Sequence, residues 1–186
     1  MKSFLKGVAI VFALVLVVWL GIAIMQSLMM RTDSRPGTPT LIVLKDIQVA
    51  LNNWCTEYKD WPLQRGEAIK QDIELEVRGE LSAALLGESV AGNTRGIQFV
   101  NVNAAKQKKP GVVSDEGEMR LVDQWGCTLR VVLDGDGDRK LVNPDVKNSN
   151  EEIRSTAPEQ LRTRVAVFSA GKDGVFFTRD DLVSWR

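Results

Sequence analysis

The chain has 186 residues, and its 24 basic side chains balance 24 acidic ones, so nothing in its charge recommends nucleic acid as a partner. Histidine is absent, which removes the commonest general base and transition-metal ligand and excludes histidine-dependent serine or cysteine triads and histidine-zinc sites. The two cysteines, Cys55 and Cys127, are too few for a disulfide framework and wrongly spaced for zinc or redox motifs; in an oxidising compartment they either pair or stay separate.

The first element in chain order is apolar. Gly7 to Met25 carries no charge, and the uncharged stretch runs on to Met30. A helix needs about 20 mostly apolar residues to cross a bilayer. A secretory signal has a shorter apolar region and a small-x-small exit, which Ala23-Ile24-Met25 does not offer, so residues 1–31 are predicted to be an uncleaved single-pass anchor. Lys2 and Lys6 before the run nearly balance Arg31 and Arg35 after it, and the very short lysine-bearing tail is expected on the cytoplasmic side.

Residues 32–39 contain Pro36, Gly37 and Pro39 and are predicted to break the helix. A domain of residues 40–186 follows. Thr38 is the expected N-cap, with Pro39 in the first helical position. Leu41, Leu44, Ile47, Leu51, Trp54 and Tyr58 recur at spacings of three and four and predict an amphipathic spine helix that ends before Trp61-Pro62. A second helix is expected over 73–86, a half-buried strand over 97–102, and a polar loop over 105–118 that carries Lys106, Lys108 and Lys109. Leu129 to Leu133 and Lys140 to Val142 flank the turn-rich DGDGD and predict a hairpin, and Val165 to Phe168 predicts one more strand. Helices first and antiparallel strands after make an α+β domain.

Two acidic loops are candidate metal sites. Asp134, Asp136, Asp138 and Asp145 occupy positions one, three, five and twelve of a calcium-type loop, but Arg139 stands where glycine belongs and strands flank it. A polar hairpin turn is the competing reading. Near the end of the chain, Ser169, Asp173, Asp180 and Asp181 offer oxygens on a loop whose Gly171 and Gly174 permit tight backbone geometry. That donor set suits a hard divalent cation, and solvated turn aspartates are the alternative. No nucleophile and base stand together near either loop, and no enzymatic activity is expected.

Three pieces of the domain resemble the major pseudopilin of type II secretion systems. ALNNWCTEYKDWPL resembles the family's helix end at an aromatic and a proline. Asp123-Gln124-Trp125-Gly126 resembles its Asp-Pro-Trp-Gly, and SAGKDG with the later DDLVSW resembles its calcium loop. The resemblance implies a pilin-like fold, a spine helix packed on a small antiparallel sheet, with one structural calcium. It assigns the metal to Asp173 and Asp181, to carbonyl oxygens near Ala170 and Val183, and less directly to Asp180 and Ser169, and it makes Trp125 a packing residue. It further implies a bacterial inner-membrane protein with its C-terminal domain in the periplasm, whose partners are other pseudopilin or secretion-apparatus subunits and further copies of itself.

The N-terminus departs from that family. Where its members carry a phenylalanine-led segment with glutamate at the fifth position after the cut glycine, Val8 follows Gly7 and Phe12 stands fifth. Two readings follow: a structural subunit or accessory of a pseudopilus-like apparatus, or a permanently anchored, calcium-stabilised extracytoplasmic binding domain that forms no filament.

Overall fold

A computed structural model describes residues 37–62, 71–89 and 92–186. The expected anchor, and the break up to Pro36, lie outside the described residues. Among those described, no helix is long and apolar enough to cross a membrane. Residues 37–186 form one unit that mixes helices with antiparallel sheet.

The unit begins with α1, Thr38–Tyr58, which is the expected spine. Its cap is one residue earlier than predicted: Gly37 is the N-cap (φ 98), so Thr38 enters the helix with Pro39 in its first turn. Leu44, Ile47, Leu51 and Trp54 of the apolar stripe are buried, and Leu41 and Tyr58 at its ends are half-buried. The helix stops one turn before the proline, where Lys59 turns left-handed (φ 61) and its N–H donates to the Cys55 carbonyl.

The chain then forms β1 (Ile73–Glu76), α2 (Gly79–Leu85), β2 (Gly111–Asp115), β3 (Glu118–Val122), β4 (Arg130–Leu133) and β5 (Leu141–Val142). A 3-10 turn at Pro144–Lys147 leads to α3 (Glu151–Thr156), β6 (Gln160–Leu161), β7 (Val165–Ser169) and β8 (Leu182–Val183). The main sheet is antiparallel throughout, in the order β1-β4-β7-β8. β2 with β3 and β5 with β6 make two small ladders.

Alternation along β4 and β7 divides the interior in two, because successive strand side chains point to opposite faces. Val131, Leu133, Val165 and Val167 face α1 and α2 and join Leu44, Ile47, Leu51, Leu81 and Leu85. Val132, Ala166 and Phe168 face the other way and pack with Leu141, Leu161 and Val183, flanked by Phe176, Phe177 and Trp185. A strand buried on both faces reads as a continuous apolar run, and VAVF in β7 is such a run. Gln48 of α1 donates to the Val165 carbonyl, and Lys45 donates to the Ser184 carbonyl, so the helix is pinned to the last two strands of the sheet.

Four sequence expectations are corrected. The first half of the helix expected over 73–86 is β1: IELE alternates, and its Ile73↔Leu133 to Glu76↔Arg130 pairing overrides the helix-forming tendency of Glu and Leu. Residues 97–102 form no strand, because the Phe99 and Val100 N–H groups both donate to the Leu85 carbonyl after α2. The loop expected over 105–118 contains β2 and turns directly into β3. The hairpin across DGDGD does not form: β4 is flanked by β1 and β7, and β5 pairs with β6.

Candidate functional site

The loop between β7 and β8 is built around its aspartates. Burial of Phe168 on one side and of Val183 on the other fixes both ends, and the ladder pairs these two residues. Gly171 is buried with φ +69, and a Cβ there would lie 2.4 Å from the Asp180 carbonyl oxygen. The two limbs of the loop therefore touch at a position that only glycine fits. Asp180 Oδ2 accepts the N–H groups of Lys172 (2.6 Å) and Asp173 (3.1 Å). Asp173 Oδ1 accepts from Val175 N–H (2.8 Å). Asp181 Oδ2 accepts from Phe177 N–H (2.7 Å) and its Oδ1 from Thr178 N–H (3.2 Å).

The second oxygens of Asp173 and Asp180 and the already engaged Oδ1 of Asp181 converge on one hydroxyl. Thr178 Oγ1 lies 2.9 Å from Asp173 Oδ2, 2.9 Å from Asp180 Oδ1, 3.3 Å from Asp181 Oδ1 and 3.2 Å from the Val175 carbonyl oxygen. A threonine hydroxyl has one proton, so it donates to one of these four acceptors while the others meet it oxygen to oxygen. Hard oxygens in excess of protons are the donor type that calcium takes, in sets of six to eight. Asp173, Asp180 and Asp181 do not, however, offer one oxygen each all within 4.8 Å of one another; the Thr178 hydroxyl stands between them. Burial pushes the Asp181 carboxyl above its ordinary value, and the neighbouring charge of Asp180 adds to the rise against the opposing Phe177 and Thr178 hydrogen bonds. For Asp180 burial works in the same upward direction, but donors from Asp173, Thr178 and Lys172 outweigh it and hold the group below the usual aspartate range.

Other expected ligands have different surroundings. Ser169 Oγ donates to Asp123 Oδ2 (2.6 Å) and accepts from Gly171 N–H (3.1 Å), which commits it to the base of the loop. Asp123 Oδ1 also accepts from Trp125 N–H and Cys127 N–H, so the Asp-Gln-Trp-Gly turn is closed by its own aspartate and tied through Ser169 to the start of the β7–β8 loop. Ala170 is buried where the loop leaves β7, and Val183 sits in β8 opposite Phe168. Trp125 is half-buried beside the turn. Cys55 and Cys127 are free thiols, and burial together with the charges of Asp123 and Asp173 pushes the Cys127 thiol up.

The loop is also held from outside. Asn148 donates to the Thr178 carbonyl (2.8 Å) and Ser149 N–H to the Phe177 carbonyl (2.7 Å). Arg130 stacks 4.0 Å over Phe176.

The second acidic loop is arranged differently from its sequence pattern. Asp134 is buried and accepts from Gly137 N–H (2.7 Å) and Arg139 N–H (3.1 Å), with the Arg164 guanidinium 3.5 Å away. Asp136 and Asp138 close short turns by accepting from the N–H groups of Asp138 and Lys140. Asp145 takes no part in that turn: its carboxylate accepts from Trp185 Nε1 (2.8 Å) and Arg186 (2.9 Å). Among the described residues, the acidic groups whose ligand oxygens all lie within 4.8 Å of one another are Asp134 and Asp136 with Asp72. Burial, then the negative charges of Asp136, Asp134 and Asp138, pushes Asp72 up against its hydrogen bond from Val142.

Sequence reading missed Asp72 and Thr178. Asp72 lies far from the DGDGD turn in the chain and reaches it only because β1 pairs with β4. Thr178 had a local signal, a hydroxyl two and three positions before a pair of aspartates in a glycine-bearing loop. No protein-family model, curated protein or solved structure matches the chain.

Proposed function

We propose that this chain is a structural, non-enzymatic subunit or accessory of a type II secretion pseudopilus-like apparatus, held in the bacterial inner membrane by residues 1–31, with a pilin-like domain in the periplasm and a calcium ion bracing its last loop. The observation that carries the reading is the convergence of Asp173, Asp180 and Asp181 on Thr178 at the end of a sheet packed against a spine helix. Bound there, calcium would supply the positive charge that the three carboxylates of the two limbs lack. The partners are other subunits of the apparatus and further copies of this chain.

The test is thermal unfolding of the chain in calcium and in chelator. A ligand that binds only the folded state stabilises it by about 2.7 kcal/mol at a hundred times its dissociation constant, so chelation is expected to lower Tm. Asp173→Ala and Asp181→Ala should each abolish the calcium-dependent part. Unchanged melting in chelator, with no calcium by elemental analysis, would remove the metal from the proposal.

A second reading rests on Phe12 standing where a filament subunit carries glutamate. On that reading the domain is a permanently anchored, calcium-stabilised binding module that forms no filament. Mass spectrometry of the mature N-terminus separates the two. An N-methylated Val8 supports the subunit, and an intact Met1 or Lys2 start supports the module.

A further inference from the structure

Among the described residues, five arginines are paired with nearby carboxylates. Arg78 pairs with Glu76 and Glu118, Arg95 with Glu57, Arg130 with Glu74 and Glu76, Arg164 with Asp134 and Arg186 with Asp145. Lys106, Lys108 and Lys109 stand apart. All three are exposed on one tight turn, closed by Lys109 N–H donating to the Lys106 carbonyl (2.8 Å), with Lys108 at φ 61. Backbone closure keeps the three lysines on one turn, although like charges repel.

The turn separates two concavities. The smaller, about 360 Å³, is lined by Lys106, Lys108, Lys109, Val113 and Trp125, with Asp123 as its one acidic residue. The larger, about 630 Å³, is lined by Lys106 and Lys109 together with Pro39 and Val43 from the first turns of α1. One carboxylate, Asp46, also lines the larger, so two positive groups meet one negative group there. The lysine turn is therefore at the N-terminal end of α1, the end that the chain reaches directly from the apolar segment. Met30 and Gly37 are seven positions apart, a separation that a chain can span over at most about 25 Å.

We propose that the Lys106–Lys109 turn is a docking surface for the anionic phospholipid headgroups of the bilayer that holds the N-terminal segment, an inference that rests on the anchor reading of residues 1–31. Lysines beside an apolar surface and a tryptophan are the groups that favour a membrane–water boundary: the ammoniums meet phosphate, and the indole sits at headgroup depth. The short tether keeps the turn within reach of that layer.

The full chain, reconstituted in bilayers of neutral lipid or of neutral lipid with about a third anionic phospholipid, tests this through lysine acetylation rates read by mass spectrometry. Lys59, at the opposite end of α1 and about 30 Å from Thr38 along a 21-residue helix, is the internal reference. Relative to Lys59, Lys106, Lys108 and Lys109 are expected to react at least about threefold more slowly in the anionic bilayer at low salt, and the difference should vanish at 1 M salt, where the screening length is about 3 Å. Equal relative rates in the two bilayers overturn the proposal. So does protection produced as fully by soluble glycerol phosphate or by an acidic peptide in the neutral bilayer. Carbonate extraction of the same samples distinguishes the failures: release of the chain overturns the anchor and the docking surface together, and a retained chain with equal rates overturns the docking surface alone.

Discussion

Asp123 shows how much one buried carboxylate organises. It is 1 % exposed and receives three hydrogen bonds, from Ser169 Oγ, Trp125 N–H and Cys127 N–H. Asp123→Ala leaves two backbone donors and a buried hydroxyl without their acceptor, and the expected cost is about 3 kcal/mol in urea unfolding, since each buried unsatisfied group costs about 1–3 kcal/mol. An Asp123→Asn variant that unfolds at the wild-type urea concentration would show that charge on Asp123 is unimportant. The sequence resemblance pointed at this turn through Trp125, yet the side chain that closes it is the aspartate, and its bond to Ser169 spans 46 positions that no local pattern connects. At the surface, hydrogen bonding to Arg78 holds the Glu118 carboxyl below its ordinary value. A lowered carboxylate contributes stability that is present above the unfolded value of 4.5 and is lost as pH falls through the folded pKa. In Arg78→Gln the Glu118 carboxyl should titrate closer to 4.5 when followed by NMR, and an unmoved titration would contradict the pairing.

At the scale of elements, periodicity identified what packs but not what pairs. The stripe from Leu41 to Tyr58 defines α1 because a helix satisfies its own backbone, whereas a strand depends on a partner that its sequence does not name. Residues 73–76 and 97–102 both alternate. The first finds β4, and the second meets only the Leu85 carbonyl. The expected β4–β5 hairpin fails for the same reason, since β1 and β7 take both edges of β4. Glycines mark two places where elements press together. A Cβ on Gly111, the first residue of β2, would lie 2.2 Å from the Asn103 carbonyl oxygen. In the β7–β8 loop, Gly171→Ala combines a left-handed backbone, costing about 1–2 kcal/mol, with a clash against the Asp180 backbone. It is expected to lower Tm and the affinity for the proposed calcium ion, because the strain falls between the limbs that carry Asp173 and Asp180. Calorimetric titration at wild-type affinity would show that the limbs close without that contact.

Over the whole molecule, three aspartates of the last loop were legible because they lie within nine residues of one another, and the acidic group that unites Asp72 with Asp134 and Asp136 was not, because topology alone assembles it. The same topology makes the helical face of α1 depend on remote chain: Gln48 and the Val165 carbonyl are separated by 117 positions. Until β7 is available, Leu44, Ile47 and Leu51 have no sheet to cover them, and β4 lacks one of its two neighbours. A chain cut after Arg164 is therefore expected to yield no protease-resistant core, whereas the full chain should yield one; a resistant fragment from the shorter chain would show that β1 and β4 suffice. Long-range pairing of this kind folds slowly, because loop closure precedes the contacts that reward it. A growing chain thus stays loose while nearly all of its domain emerges from the ribosome, which leaves the apolar face of α1 open until the last two strands arrive.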